Sequence, residues 1–461
     1  MKIRVIPARR CVSCVVWALG WCALGGCNRE PVPIQGSPLW ESSVDAADRG
    51  DGLEIVAHRS APLSSVDWPA LFGPDGTSLS QEQRIDARWD ATGPRELWRA
   101  AIGRGYSSPV IAEGKLLLHE RTGDEERLRC WDARTGEELW HNSRPTTYQC
   151  KFPPYTSGPY GTPLIHGGRV YAASAQAQLE CCDLETGSTL WQRDLREDYQ
   201  IPEGQFGFGP GLMIDGELLF LNAGGTKTNA GIIALRIESG ETAWTATDHA
   251  SAYTTPRVAT VDGKRHLLVL TETGLADLVP DSGQVRWVYP FHSKAVDTIN
   301  AVSPVVQDDL VMLVTGPGPG AVCLRLQLDG SFSEVWKDRR LLDSQFNNLL
   351  VANGFVYGFT ASRQGGATFR CCELKSGQLR WEHKSLLGRG SSLAADGQII
   401  MLGEQGHLAA LALDSTAARV ISPCTPPLLE SPCYSSPALS GGRLYLRNET
   451  AVVCYDLRSG P

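Results

Sequence analysis

The sequence predicts an all-β chain: an eight-bladed β-propeller of four-stranded blades over residues 67–461, its ring closed by an N-terminal strand that joins the C-terminal blade. Three observations carry this. A Thr/Ser-Gly turn followed by Trp recurs every 43–53 residues, the period of a propeller or another repeat array. A second mark, Ser/Thr-Pro followed by a Gly turn and an apolar run, falls between copies of the first. The two chain ends split a single unit between them.

The segments follow in order. Lys2, Arg4, Arg9 and Arg10 precede an apolar stretch, Cys11 to Ala23, too short for a stable membrane span. It ends in Leu24-Gly25-Gly26-Cys27, small residues before a cysteine. This is similar to a bacterial lipobox, which implies that residues 1–26 are a signal peptide and that Cys27 is lipidated. Asn28 gives no Asp signal for inner-membrane retention. Residues 27–66 carry Pro, Ser, Ala and Asp without apolar periodicity and read as a flexible tether. The net charge is −8 and the first 26 residues are basic, so the body is acidic, which excludes a nucleic-acid partner bound through phosphates. No later apolar run approaches a membrane span.

The first mark reads Asp132-Ala-Arg-Thr-Gly136-Glu-Glu-Leu-Trp140, Asp183-Leu-Glu-Thr-Gly187-Ser-Thr-Leu-Trp191 and Glu238-Ser-Gly240-Glu-Thr-Ala-Trp244. It continues as Asp281-Ser-Gly283-Gln-Val-Arg-Trp287, Asp329-Gly330 before Trp336, and Glu373-Leu-Lys-Ser-Gly377-Gln-Leu-Arg-Trp381. A strand ends, Gly takes the positive-φ position of a tight turn, and the next strand buries an indole. The second mark reads Ser107-Ser-Pro109 with Gly114, Thr162-Pro163 with Gly168-Arg-Val-Tyr171, Thr254-Thr-Pro256 with Gly263, Ser303-Pro304, and Ser435-Ser-Pro437 with Gly442-Arg-Leu-Tyr445. Weaker copies at Pro210, Asn348 and Ser391 make eight. Together the marks give four strands per unit. The last unit stops at Ser459-Gly460-Pro461 before its Trp strand, and Gly93-Pro-Arg-Glu-Leu-Trp98 supplies that strand from the other end. Joining the two removes a free sheet edge. The seventh unit, Leu408 to Ile421, has lost its Trp.

The two marks resemble the PQQ-like (pyrroloquinoline quinone-like) β-propeller repeat. Trp68-Pro-Ala-Leu-Phe-Gly73-Pro-Asp-Gly76 resembles the opening of secreted planctomycete lipoproteins of that group. The repeat is shared by quinoprotein alcohol dehydrogenases and by the lipoprotein of the β-barrel assembly machinery, BamB. The resemblance implies that Trp98, Trp140, Trp191, Trp244, Trp287, Trp336 and Trp381 each dock flat on the next blade's turn, a structural role.

Candidate chemistry is sparse. Cys130, Cys181, Cys371 and Cys454 stand six residues before the turn Gly, where Ala234 stands in the third unit; such a position takes a small buried residue. Cys424 and Cys433 bracket a Pro-rich loop and are disulfide candidates in an exported chain, and Cys150 is a candidate partner for Cys130. Cys181-Cys182 and Cys371-Cys372 invite comparison with the vicinal disulfide of quinoprotein dehydrogenases, but both pairs lie in strands, where alternation turns one thiol to each side. Asp132, Asp183 and Asp456 repeat, which favours turn capping over catalysis. No HxH, HExxH, GxSxG, P-loop or paired CxxC occurs in the body, so neither a metal site nor a catalytic residue is expected.

One ring of residues is a candidate binding position. Tyr106, Tyr160, Tyr253 and Tyr434 stand three residues before the proline of their marks, Phe346 matches them in a weaker copy, and Asn300 and Arg389 are offset by one. In propellers with this repeat that position implies the mouth of the axial channel, as aromatic filler or as a ligand or partner site. The expected function is a non-enzymatic scaffold, anchored through Cys27 and facing the periplasm, a monomer that binds protein partners at an envelope membrane. One alternative is a PQQ- and Ca²⁺-dependent oxidoreductase of quinoprotein type; no cofactor is otherwise expected. Another is a lipoprotein binding a small ligand or carbohydrate at the tyrosine-lined mouth.

Overall fold

The computed structural model describes residues 67–459 apart from 153–154, 205, 293–299, 363–365 and 385. The expected signal peptide, Cys27 and tether lie outside the described residues. No helix among these is long and apolar enough to cross a membrane. Residues from Arg95 onward form eight four-stranded antiparallel sheets, the blades of an eight-bladed β-propeller. Blade 1 holds strands Val110–Ala112, Lys115–Thr122, Glu125–Asp132 and Glu138–Pro145, and six further blades repeat this order along the chain. Blade 8 takes Ala438–Ser440, Arg443–Arg447 and Ala451–Asp456 from the C-terminal end and Arg95–Ala101 from the N-terminal end, with Trp98 opposite Cys454.

The register explains the repeat. In seven blades one row across the sheet ends on the tryptophan, as in Tyr171, Cys181 and Trp191 or Tyr357, Cys371 and Trp381. A β-bulge follows each Trp pairing and turns the indole toward the neighbouring blade. Cys130, Cys323 and Cys454 occupy the same row position, Ala234 replaces them in blade 3 and Asp277 in blade 4. The hydrophobic core lies between blades rather than within them. Leu179 and Cys181 pack with Leu219 and Leu235 of the next blade, while Cys182 faces the opposite seam with Leu117 and Val170.

Seven of the eight seams are fastened the same way. The indole Nε1 groups of Trp98, Trp140, Trp191, Trp244, Trp287, Trp336 and Trp381 donate to the carbonyls of Ala133, Leu184, Ile237, Pro280, Gly330, Leu374 and Asp414, at 2.8–3.1 Å. At five of these seams a turn glycine with φ near +70° lies against the ring, and a Cβ on it would come within 2.5–2.8 Å of ring atoms. The expected result for Gly187→Ala is a loss of about 2–3 kcal/mol, from left-handed strain plus overpacking on Trp140. Gly263→Ala, at φ 73° with nothing within 4 Å of the added carbon, should cost only about 1–2 kcal/mol. Urea midpoints of the two variants check the difference.

The aspartates of the turns cap them: Asp132 Oδ1 accepts from the N–H groups of Arg134 and Thr135, and Asp183 Oδ1 from that of Thr186. The expected disulfides are not formed. Cys424 and Cys433 are free thiols, Cys433 inside the core around blades 7 and 8 and Cys424 against the core of blades 6 and 7. Cys130 is likewise free, buried opposite Trp140, and Cys150 is free in its loop. Residues 67–94 form no blade strand. They run as a strap over inner strands: Trp68 bridges Ile111 of blade 1, Pro69 O accepts from Ile165 N of blade 2, Gly76 O from Arg257 of blade 4, and Ser80 N donates to Ala394 O of blade 7.

Candidate functional site

Antiparallel order sorts the connections. First-to-second and third-to-fourth turns share one face and are short. Blade-to-blade loops share the other face with the starts of the inner strands, and several are long: 146–163, 195–212, 291–304, 339–349 and 423–437. The Ser/Thr-Pro marks sit at those starts and stitch neighbouring blades around the axis. Ser436 N donates to Ser108 Oγ, Ser108 N to Thr162 Oγ1, and Thr255 N to Ser303 Oγ, each at 2.9 Å. Short hydroxyl side chains suit this position because they accept a hydrogen bond without filling the channel.

Just before this girdle stand the tyrosines, and the structure brings most of the predicted ring together. Tyr106 meets Tyr160 edge-on at 4.9 Å and Tyr434 at 5.2 Å; Tyr434 meets Phe346 at 5.2 Å. Tyr160 and Tyr253 are 6.4 Å apart. The Arg389 guanidinium lies 4.9 Å above the Phe346 ring and 5.8 Å above Tyr434. Edge-to-face rings with a cation above them make a cohesive cluster. Arg389 is also held by Glu404 at 2.7 Å and Gln345 at 3.0 Å. Burial works against its charge, but the Glu404 carboxylate outweighs burial and raises its pKa.

Asn300 does not line the mouth, a correction to the sequence reading. It is 2% exposed, and its side-chain amide nitrogen donates to the carbonyls of Thr271 and Phe291 while its main-chain carbonyl accepts from Tyr253 N.

Sequence reasoning missed Phe152, Tyr155 and Phe206. They come from two long loops and lie over the ring: Phe206 is 6.0 Å from Tyr160, 6.2 Å from Tyr253, 5.3 Å from Phe152 and 5.4 Å from Tyr155. Aromatic residues among Gly and Pro in loops longer than a blade connection requires were the available signal. The phenols hold these loops. Tyr253 OH donates to Gly207 O at 2.7 Å and accepts from Phe206 N at 3.1 Å; Tyr160 OH donates to Thr156 O at 3.3 Å. Burial pushes the pKa of Tyr106, Tyr160, Tyr253 and Tyr434 upward, so all four stay protonated and uncharged at neutral pH.

A quinone site does not fit these residues. Cys181 and Cys182 face different seams, as do Cys371 and Cys372, and all four thiols are free. Burial pushes Cys181 and Cys371 up to about 11 and Cys182 and Cys372 up to about 12, which leaves them as unreactive thiols. Among the described residues no three His, Cys, Asp or Glu side chains group as metal ligands. At the mouth the chain's own rings pack edge to face on one another.

A family model described as outer membrane protein assembly factor BamB matches residues 31–142 and 124–383. The chain belongs to this family. Among curated relatives, BamB of Yersinia pestis is 23% identical over 267 residues, covering 55% of this chain and 63% of that one. BamB of Burkholderia pseudomallei is 24% identical over 247 residues, covering 53% and 60%. The matched stretch therefore spans less than two thirds of either relative. The crystal structure of BamB from Moraxella catarrhalis superposes with a TM-score of 0.55 at 14% identity, over 79% of this chain and 99% of that one. That likeness establishes the propeller fold. On this fold the blade-to-blade loops bring Phe152, Tyr155 and Phe206 onto the ring of tyrosines.

Proposed function

We propose that this protein is a non-enzymatic interaction module for outer-membrane protein assembly, a monomer lipid-anchored through Cys27 and facing the periplasm. The observation that carries the non-enzymatic reading is the mouth. Its tyrosine hydroxyls bond Thr156, Phe206 and Gly207 of the overlying loops, and its cation is paired with Glu404. What it presents outward is an aromatic loop surface in which Tyr155 is 38% exposed. A partly exposed aromatic cluster on a rigid ring suits a protein partner, because such rings bury area at little conformational cost. Membership of the BamB family supports the choice of partner class.

The test uses the full chain in its own envelope, with a photo-crosslinking amino acid at position 155. The expected adduct is with a component of barrel assembly, and Cys27→Ser should abolish it by releasing the chain from the membrane. Adducts with no assembly component would overturn the partner class. The oxidoreductase alternative is decided by calorimetric titration of PQQ with and without Ca²⁺. We expect no saturable heat; micromolar binding would overturn the non-enzymatic reading.

A further inference from the structure

Seven seams of the ring close on an indole. The eighth, between blades 7 and 8, has none. The row that ends on Trp elsewhere runs Ile400, Ala410 and Ser422 in blade 7, and the bulge is still present beside it. Ser422 therefore stands where the docking tryptophan would be. The carbonyl such a tryptophan would reach is also identifiable. Ala133, Leu184 and Leu374 each accept an indole N–H, and each bonds through its own N–H to the first-turn glycine of its blade, Gly114, Gly168 or Gly354. Leu457 makes the same bond to Gly442 O in blade 8.

Leu457 O is not left open. It accepts from the backbone N–H of Asp86, in the strap, at 2.7 Å. Ser422 turns to the same segment: its hydroxyl donates to Ala87 O at 2.7 Å and accepts from Trp89 N at 2.8 Å. Blade 7 holds the segment from beneath through Asp396, which accepts from Ile85 N, and Gln398, which bonds Ala87 N and Ile85 O. Blade 8 holds it through Ser459 N on Arg84 O and a bridge between Ile85 and Arg458. Ile85 and Ala87 are 4% and 0% exposed and pack in the core around blades 7, 8 and 1.

We propose that residues 84–89 are the eighth latch of the ring, a main-chain substitute for the missing docking tryptophan that occupies the place an indole on blade 7 would take. The other seven latches belong to the blades they fasten. This one belongs to the segment that leads back to the N-terminus, so the seam between blades 7 and 8 is the point at which the strap controls the ring. An indole at position 422 would need the space of the Ala87 and Trp89 backbones, which lie 2.7 and 2.8 Å from the Ser422 hydroxyl, so the indole and the strap exclude one another.

Hydrogen exchange and urea midpoints on the full chain test this. Asp86→Pro removes the N–H and should speed exchange about tenfold at 84–89 and 451–458, leaving the other blades unchanged. Asp86→Ala keeps the N–H and should not. Ser422→Trp should expel the strap, so 84–89 lose protection while 451–458 keep it. Added to Asp86→Pro, Ser422→Trp should raise the urea midpoint, whereas alone it lowers it. A strap that stays protected beside Trp at 422, or a Ser422→Trp effect equal in both backgrounds, would overturn the proposal. If Ser422→Trp does not fold, Asp86→Pro decides alone, and uniform or absent acceleration overturns it.

Discussion

Replacing Trp68 by Ala should cost about 3–5 kcal/mol of stability, the usual range for emptying a fully buried aromatic site. Trp68 is 2% exposed and packs with Ile111, Leu116 and Trp131 of blade 1 in the core that continues through blades 7 and 8. Its backbone pairs with Ile111 in both directions, at 2.7 and 2.8 Å, and those bonds survive the substitution. What is lost is the indole and the surface it covers. Gly73, five residues on at φ 83°, lies against the ring, and a Cβ there would stand 3.1 Å from it. The Trp-Pro-x-x-x-Gly-Pro opening thus builds an indole-on-glycine contact within the strap, the device that the blades use between neighbours. Denaturant unfolding of Trp68→Ala and Trp68→Phe measures the effect, with the Phe variant expected to recover more than half of the loss. A change below about 1 kcal/mol would show that the strap lies on the ring without stabilising it.

The blades were legible because a propeller writes one structural unit many times. A turn glycine, a tryptophan four residues later and a proline-marked inner strand each have a local cause, and eight copies average out the exceptions. Even the lost tryptophan of the seventh unit could be read, because seven others defined its place. The strap could not be read. Its partners, Ile111, Arg257, Ala394, Ser422 and Leu457, are spread along the chain, and no periodicity links Asp86 to Leu457. Asn300 was misplaced because its amide finds partners in the Thr271 and Phe291 carbonyls, whereas Arg389, at the same offset, reaches the rings. The aromatic ring was found from spacing, whereas Phe206 and Tyr155 were missed because loop residues carry no repeat. Cys424 and Cys433 looked paired because they are near in sequence, yet alternate seams received them.

Acid should weaken the fold through His119 over the window from pH 6.5 down to 3. His119 is fully buried, and burial first, then the Arg144 and Arg447 guanidinium groups, lower its pKa to about 3; the Ala173 carbonyl opposes this and is outweighed. The folded protein keeps this imidazole neutral while the unfolded chain protonates it below about pH 6.5. The stabilisation is therefore complete above 6.5 and is lost as pH falls toward 3, at up to about 1.4 kcal/mol per pH unit. Glu126, whose Oε2 lies 3.7 Å from the imidazole Nε2, acts with the opposite sign. Burial raises its pKa despite bonds from Ala175 N and Thr146, so the folded state takes up its proton at higher pH than the unfolded chain does, and this offsets part of the histidine's loss. The buried Arg447, which bonds the main-chain carbonyls of Gly103, Ser107 and His119, ties the His119 backbone to the seam of blades 8 and 1 and keeps a positive charge near the imidazole. His119→Gln removes the titration. The variant should be less stable than the parent at pH 7.5, and its urea midpoint should fall more shallowly between pH 6.5 and 4, so that the two curves converge or cross. Parallel curves across that window would show that the histidine carries none of the acid sensitivity and that surface carboxylates carry it all.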